Sequence, residues 1–341
     1  MMKEHGLDLA ALERWLATQV AVEGPLVAER IGGGQSNPTF HVRAANDRYV
    51  LRMKPPGVLV PSAHAVEREY LVMRALATTD VPVPPLVGLC EDASVLGTAF
   101  YVMKHVDGRI LWDPALPEVD EAARGAMYES LNRVLASIHA VDLVATGLGD
   151  YGRPGNYFER QVGRWSKQYR ATSEFRIESM DRLCDWLAAH IPDSDETALI
   201  HGDYRLDNVM FHPSEPRIVA VLDWELSTLG HPLADVAYQA MTWRFSPGDF
   251  RGMGGRDLAA LGIPSERAYV EAYCARTGRS LPRRELWEFA IACSMFRLAA
   301  ILHGIALRAT QGNAVGDDAA ATGKRARVIA DLAWLQVEQL R

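Results

Sequence analysis

The chain has 341 residues and carries 36 Lys and Arg against 43 Asp and Glu, a formal net charge of −7 at pH 7. Apolar residues make up 48% and charged residues 23%, as in globular proteins that bury a large core. The acidic balance argues against a nucleic-acid-binding function, because no basic arm stands out. The length suggests two or three structural units.

The cysteine spacing and the apolar segments argue against a zinc site and a membrane anchor. The four cysteines show neither the spacing nor the nearby histidines of a zinc site, so we expect reduced, mostly buried thiols. The amphipathic first 20 residues lack the pattern of a signal or transit peptide. The apolar stretch 289–307 contains Arg297 and His303, which favours a core helix over a membrane span. We therefore expect a soluble cytoplasmic protein.

Hydrophobic periodicity predicts a small sheet in the first third of the chain. A helix is expected over 8–21 and another over 62–78. The predicted strands, of which the first three form an antiparallel meander, are 27–31, 38–43, 48–53, 86–90 and 99–103. A turn at Asp107 and Gly108 ends this pattern, so the sequence predicts a first lobe over 1–106 with a hinge near 104–108.

The rest of the chain is mainly helical in pattern. Helices are predicted near 120–140, 156–171, 177–190, 233–243, 264–277, 283–308 and 322–340, and short β-prone segments at 197–202, 209–212 and 217–222. The fold class is therefore α+β with two lobes: a five-stranded antiparallel sheet plus a helix, then a helical second lobe over 107–341 with an embedded β-hairpin.

The densest group of chemically active residues lies between the β-prone segments. It reads His201-Gly-Asp203-Tyr-Arg205-Leu-Asp-Asn208, followed by Asp223 at the end of an apolar strand. Phosphoryl transfer needs positioning and charge neutralisation more than covalent chemistry. Asp203 can accept the proton of an attacking hydroxyl, and Asn208 and Asp223 offer the oxygen ligands that Mg²⁺ prefers. Arg205 can face the transferred phosphoryl group. Asp and Asn also form ordinary turns, but unrelated turns rarely keep this whole order.

Two further groups in the first lobe could hold phosphates. The turn containing Gly33, Gly34 and Ser36 can bring backbone N–H groups close to a phosphate, although such hairpin tips also occur without ligands. Arg52 and Lys54 share one face of the third strand, and either could bind the phosphates. We expect Arg52 to pair with an acid on the 62–78 helix, and Glu69 lies closer to its buried stripe than Glu67.

Two polar residues of the second lobe are expected to be structural. Asp235 begins a predicted helix and should cap it or brace the 201–208 loop together with His201. His139 lies on an apolar helix face, where a hydrogen-bonded core histidine is more common than a catalytic one.

Together these motifs resemble the aminoglycoside phosphotransferase (choline kinase-like) family, a branch of the protein-kinase-like fold. The run from His201 to Tyr238 is similar to the kinase-like domains fused to acyl-CoA dehydrogenases. The resemblance implies that Asp203 is the catalytic aspartate, that Asn208 and Asp223 bind Mg²⁺, and that the backbone around Lys104 and Val106 binds the adenine of ATP.

This sequence departs from the family at two positions. Arg52 stands where the family usually has Lys, and an arginine is not an equivalent point charge. His231 stands where an Asp is common. Neither change touches the base or the metal ligands, so we expect an active enzyme.

The acceptor is expected to be a small hydroxylated molecule. Six cations fall in the region that should face it. A solvated cationic face is the more common explanation of such residues, but if they line the acceptor cleft they suit an anionic acceptor better than a polycationic antibiotic. These are Arg160, Arg164, Lys167, Arg170, Arg244 and Arg251. With the resemblance, they favour a hydroxyacyl-CoA or a related hydroxy acid derivative.

Other functions remain open from the sequence. The chain could be an aminoglycoside-type antibiotic kinase, a nucleotide-binding pseudokinase, or a metal-dependent hydrolase. The oligomeric state and the preference for ATP over GTP are also open.

Overall fold

The structure, a computed structural model, describes residues 7–32, 37–55, 65–172, 175–310 and 319–340. The chain forms two compact units. The first comprises Met1–Arg109, Val144–Leu148 and Val209–Ser227; the second comprises Ile110–Leu143, Gly149–Asn208 and Thr228–Arg341.

An antiparallel sheet of five strands dominates the first unit, as the sequence predicts. Its spatial order is β1-β2-β3-β5-β4. The strands are β1 (Val27–Arg30), β2 (Thr39–Arg43), β3 (Arg48–Met53), β4 (Leu86–Cys90) and β5 (Phe100–Lys104). The helices of this unit are α1 (Leu9–Leu16), α2 (Val66–Leu76) and the single turn α3 (Ala93–Leu96).

Side chains along strand β3 alternate between the two faces of the sheet, one facing the hydrophobic core and the other facing the candidate site. Tyr49, Leu51 and Met53 belong to the buried cluster beneath the sheet. Arg52 therefore lies on the opposite face, where the network described below forms.

The β-hairpin of residues 209–222 belongs to the first unit by its contacts. It consists of β7 (Val209–Phe211) and β8 (Ile218–Val221). Phe211 exchanges two backbone hydrogen bonds with Arg109, and the Val221 N–H donates to the Pro82 carbonyl at 2.8 Å. The predicted boundary at residue 106 stays a prediction; the hairpin shows that residues distant in sequence complete this unit.

The second unit is mainly helical. Its longer helices are α4 (Glu121–His139), α5 (Tyr157–Arg170), α6 (Glu178–Ala189), α7 (Leu233–Ala240), α9 (Glu266–Thr277), α10 (Arg284–Thr310) and α11 (Ala319–Glu338), and α8 (Pro247–Phe250) is one turn. Two short strands, β6 (Ala198–Ile200) and β9 (Thr228–Gly230), pair antiparallel beside the polar loop.

Helix α10 is the one described helix that is long and apolar enough to cross a membrane. Most of its apolar stretch is buried inside the protein. This is the arrangement of a core helix, as the presence of Arg297 and His303 in that stretch predicts.

Candidate active site

The 201–208 loop follows strand β6 in the second unit and holds Asp203 in a fixed orientation. Gly202 has a φ of +81°, a conformation that side chains rarely adopt, so glycine permits the sharp turn before Asp203. The side-chain amide of Asn208 donates to Asp203 Oδ2 at 2.8 Å and to the Asp203 carbonyl at 2.9 Å. The Asn208 N–H donates to the Arg205 carbonyl, which closes the loop as a short 3-10 turn.

A buried carboxylate braces this loop from below, as predicted for Asp235. Its oxygens accept the N–H groups of His201 at 2.6 Å and Gly202 at 2.8 Å. His139, which is buried, lies with Nε2 3.3 Å from Asp235 and Nδ1 2.7 Å from the Tyr273 hydroxyl. Burial lowers the pKa of His139, and burial of Asp235 is outweighed by its hydrogen bonds with His139 and the loop, so the pKa of Asp235 is also lowered. The pair is therefore a neutral imidazole and a carboxylate.

Arg205 lies beside Asp203. Its Nε is 3.5 Å from Asp203 Oδ2 and 3.1 Å from Asp207 Oδ1. Arg251 also pairs with Asp207, at 2.6 Å. Asp207 thus holds Arg205 close to Asp203, where a cation can meet the charge of a phosphoryl group.

In the first unit, Arg52 is the centre of an acidic network. Its Nε is 2.7 Å from Glu69 and its Nη2 is 2.7 Å from Asp223 and 3.6 Å from Glu225. Burial alone would lower the pKa of Arg52, but these carboxylates raise it, so the guanidinium stays charged. The predicted pairing of the strand cation with Glu69 is therefore present.

Glu69 is 1% exposed and is fixed by two further donors. The Asn37 side-chain amide donates to it at 2.8 Å and the Tyr101 hydroxyl at 3.1 Å. Lys54 pairs instead with Glu67, at 2.5 Å. The two strand cations therefore have separate partners, and only Arg52 joins the network that contains Asp223.

The hinge residues also belong to the first unit. The Lys104 N–H donates to the Pro85 carbonyl at 2.8 Å, and its ammonium group lies 2.7 Å from Asp47. The N–H of Val106 donates to no residue that the structure describes. It is therefore available to a ligand, as the assignment of this segment to adenine binding requires.

The proposed Mg²⁺ ligands have suitable donor atoms. Asn208 uses its amide NH₂ on Asp203, and its oxygen accepts no hydrogen bond from the described part of the chain. Asp223 gives one oxygen to Arg52 and has a φ of +61°, in the left-handed region. Asn208, in the second unit, and Asp223, in the first, each carry an oxygen of the kind that hard cations bind. Within the described ranges, no group of three or more His, Cys, Asp or Glu side chains forms a metal site.

The predicted phosphate-binding turn cannot be placed, because Gly33, Gly34 and Ser36 lie outside the described residues. Asn37, which follows this turn, is 2% exposed and bonds to Glu69. Asn37 was not among the predicted site residues; its position directly after a glycine-rich turn is the sequence signal that points to it.

Most of the six cations predicted near the acceptor have other partners. Arg170 pairs with Asp185, Arg244 with Glu266 and Glu288, and Arg251 with Asp207. Arg160 donates to the carbonyls of residues 153 and 155. Arg164 and Lys167 are solvent-exposed. The face of α5 that carries four of these cations is therefore mainly a solvated surface.

Tyr238 and Arg297 interact electrostatically with Asp203, and neither was among the predicted site residues. The Arg297 guanidinium lies 5.0 Å from the centre of the Tyr238 ring. Burial, together with the Asp203 carboxylate, raises the pKa of Tyr238, so its hydroxyl stays a neutral donor. A charged residue inside an apolar helix was the only sequence signal for Arg297.

The sequence matches the phosphotransferase enzyme family over residues 27–287. The chain belongs to this family. The protein is therefore a phosphotransferase that acts on an alcohol group. It has the protein-kinase-like fold that its sequence motifs predicted.

Solved structures agree on the fold. A candidate aminoglycoside phosphotransferase from Ralstonia eutropha JMP134 is 51% identical, with a TM-score of 0.89, covering 98% of this chain and 99% of that one. An aminoglycoside phosphotransferase mutant in a ternary complex with ADP and hygromycin B is 18% identical, with a TM-score of 0.60, covering 94% of this chain and 97% of that one. At this identity the second likeness concerns the fold alone.

A mouse (Mus musculus) relative is much longer than this chain. It is acyl-CoA dehydrogenase family member 10, 46% identical over 337 residues, which are 97% of this chain and 31% of the relative. The chain therefore spans about a third of that protein.

Proposed function

We propose that this phosphotransferase uses ATP and Mg²⁺ to phosphorylate the hydroxyl group of a hydroxyacyl-CoA or a related hydroxy acid derivative. The observation that carries the proposed chemistry is the orientation of Asp203 by the Asn208 amide, at 2.8 Å, on a loop braced by Asp235. A carboxylate held in this way is suited to receive a proton from an alcohol.

In the proposed step, Asp203 accepts the proton of the acceptor hydroxyl as its oxygen attacks the γ-phosphorus of ATP. The new bond joins that oxygen to phosphorus, and the bond from phosphorus to the β,γ-bridging oxygen breaks. The products are a phosphate ester and ADP, and the proton leaves with Asp203 and then passes to solvent. Arg205, held by Asp207, stabilises the charge on the transferred group.

The nucleotide is assigned to residues of the first unit. The free N–H of Val106 supports a hydrogen bond to adenine, with Lys104 in the same segment. Arg52, fixed by Glu69, supplies a cation for the phosphates. Gly33, Gly34 and Ser36 would cover the phosphates with backbone N–H groups.

The donor atoms of Asn208 and Asp223 fit Mg²⁺, and these residues would hold the ion. When bound, it would neutralise the phosphate charge and favour attack by the hydroxyl oxygen. Arg52 limits the freedom of the Asp223 carboxylate through their 2.7 Å contact.

An acyl acceptor is supported by the surroundings of the catalytic loop in the second unit. A hollow beside Arg205 has mainly apolar walls, with Trp112, Leu206, Met241 and Phe250 among its lining residues. Such walls suit a hydrocarbon chain better than a polycationic sugar. The relationship to a protein of the acyl-CoA dehydrogenase family points the same way.

The test is ADP release from Mg-ATP, measured with 3- and 4-hydroxybutanoyl-CoA, kanamycin, choline and no acceptor. We expect release with the hydroxyacyl-CoA esters and its loss in Asp203→Asn. Turnover with kanamycin alone would support an antibiotic kinase. ATP-induced stabilisation without transfer to any acceptor would support the pseudokinase.

A further inference from the structure

Arg297 is a cation in the core helix of the second unit. It lies on α10, and residues 289–296 before it and 298–300 after it are buried. Arginine is rarely kept in such a place unless a partner of opposite charge or a ring of acceptors surrounds it.

No such partner is present in the described part of the protein. No described carboxylate lies within 4.0 Å of its guanidinium, and the buried Nε atom makes no hydrogen bond. Nη1 and Nη2 also make no hydrogen bond with the described part of the protein, and the side chain as a whole is half-buried rather than fully enclosed. The half-buried guanidinium therefore has two NH₂ groups that no described protein group accepts.

Aromatic rings fix the direction of this side chain. The guanidinium lies 5.0 Å from the centre of the Tyr238 ring and 6.0 Å from that of Trp165. Such contacts orient a planar cation but leave its N–H groups unused. An unmet buried donor is costly, and an apolar residue would pack here without that cost.

The position of Tyr238 relates Arg297 to the catalytic loop. Tyr238 contacts the guanidinium through its ring and also lines the hollow next to Arg205 and Asp207. Burial alone would lower the pKa of Arg297. The nearby tyrosines and aspartates outweigh that effect and raise the pKa; they are Tyr238, Tyr157, Asp203 and Asp235. Arg297 is therefore a permanent cation within the electrostatic range of the proposed base.

We propose that Arg297 binds the carbonyl oxygen of the acceptor's acyl group and so determines specificity for hydroxyacyl substrates. A guanidinium can bind both oxygens of a free carboxylate through parallel N–H groups, and it can donate one or two N–H groups to the single oxygen of a thioester carbonyl. This contact would orient the chain so that its hydroxyl faces Asp203. The inference rests on the proposed function, and it explains selectivity that the exposed cations of α5 do not.

The experiment compares full-length wild type with Arg297→Lys and Arg297→Met. The acceptors are 4-hydroxybutanoyl-CoA, free 4-hydroxybutanoate and butane-1,4-diol, which has no carbonyl group. Arg182→Met is the matched control, because Arg182 also lies over a tryptophan ring, that of Trp334 at 5.6 Å, but makes exposed ion pairs on α6. The Mg-ATP thermal shift of each variant reports folding and nucleotide binding.

We expect Arg297→Met to lose about 10- to 100-fold in kcat/KM with the carbonyl-containing acceptors and to lose much less with the diol, for which only the electrostatic influence on Asp203 changes. Arg297→Lys should lose less, because it keeps the charge but not the two-pronged geometry. A larger loss with the thioester than with the free acid would identify the CoA ester as the source of the carbonyl, and the reverse would identify the acid. An equal loss with the diol, or none with any acceptor, would overturn the inference.

Direct binding separates this inference from the proposed reaction. Calorimetric titration of nucleotide-free protein with 4-hydroxybutanoyl-CoA and with 4-hydroxybutanoate needs no turnover. Binding that Arg297→Lys weakens supports the inference even if no ADP forms, in which case the proposed reaction fails alone. Turnover of the diol at the same rate as the carbonyl acceptors keeps the kinase but refutes the role of Arg297. If Arg297→Met does not fold, the Arg297→Lys measurements decide.

Discussion

The side-chain amide of Asn208 donates a hydrogen bond to Oδ2 of Asp203, five residues earlier in the chain, at 2.8 Å. The same NH₂ group also reaches the Asp203 carbonyl at 2.9 Å. A single side chain therefore fixes both the loop and the carboxylate, and its own oxygen accepts no hydrogen bond from the described residues. The spacing Asp-x-x-x-x-Asn therefore indicates a loop in which the asparagine orients the aspartate carboxylate.

Replacing Asp203 by Asn should sharply decrease turnover. The amide cannot accept the hydroxyl proton, and general-base catalysis typically contributes about 10²- to 10⁴-fold. We expect a decrease of that size in kcat, measured by ADP release, with an unchanged Mg-ATP thermal shift. The control is Asp185→Asn, the same change at an exposed carboxylate paired with Arg170. Full activity in Asp203→Asn would remove the basis of the proposed mechanism.

Local patterns predicted most of the fold. The alternation of Tyr49, Leu51 and Met53 against Arg52 reports the two faces of β3, and the structure has the strand at the predicted residues 48–53. The place of Glu69 on the buried stripe of α2 likewise predicted its pairing with Arg52, because helical periodicity is a local property.

Features that depend on distant residues could not be predicted. Strand β9 has three residues and exists because it pairs with β6, about 30 positions earlier. The 209–222 hairpin joins the first unit through Pro82 and Arg109, which no local pattern signals. One difference is local: the predicted 8–21 helix ends at Leu16, and the Thr18 hydroxyl donates to the Trp15 carbonyl in the turn that follows. The direction of the Arg297 side chain depends on the packing of α10 and is invisible in its sequence.

The proposed role of Arg52 in binding the nucleotide phosphates can be separated from its contribution to the stability of the fold. Arg52→Met leaves Glu69, which is 1% exposed, as an uncompensated buried acid, so we expect a loss of about 3–5 kcal/mol in the free energy of unfolding and no activity. The double variant Arg52→Met/Glu69→Gln should recover most of the stability but remain inactive. Urea titration and ADP release measure the two effects.

Arg52→Lys is the conservative control for the same site. It keeps a cation near Glu69 but loses one of the two short contacts, so we expect activity within about tenfold of wild type. Recovery of activity in the double variant would show that Arg52 serves the fold and not the nucleotide.

Asp235→Asn should weaken the support of the catalytic loop. The carboxylate accepts the N–H groups of His201 and Gly202, and an amide can turn only one oxygen toward them. We expect a loss of about 2–3 kcal/mol in stability and a clear decrease in kcat, with the KM for ATP unchanged. The control Tyr273→Phe removes the hydroxyl that contacts His139 but keeps the loop contacts of Asp235. Equal effects of both variants on kcat would contradict a positioning role for Asp235.

His231 should make the protein less stable in weak acid. Burial lowers the pKa of His231 from 6.5 to about 4, while its Nε2 lies 2.8 Å from the Ser194 hydroxyl and its Nδ1 accepts the Leu233 N–H. Between pH 6.5 and 4 the unfolded chain binds a proton that the folded protein does not, so stability is complete above pH 6.5 and falls as the pH is lowered through this window. The shift corresponds to roughly 3 kcal/mol.

The measurement is the free energy of unfolding at several pH values from 8 to 4.5 for wild type and His231→Gln. At pH 8 both side chains are neutral, so the difference there reports packing alone. Below pH 6.5 we expect the variant to lose less stability than wild type. Some slope should remain, because burial also lowers the pKa of His139. Parallel pH profiles would show that His231 takes up its proton without disturbing the fold.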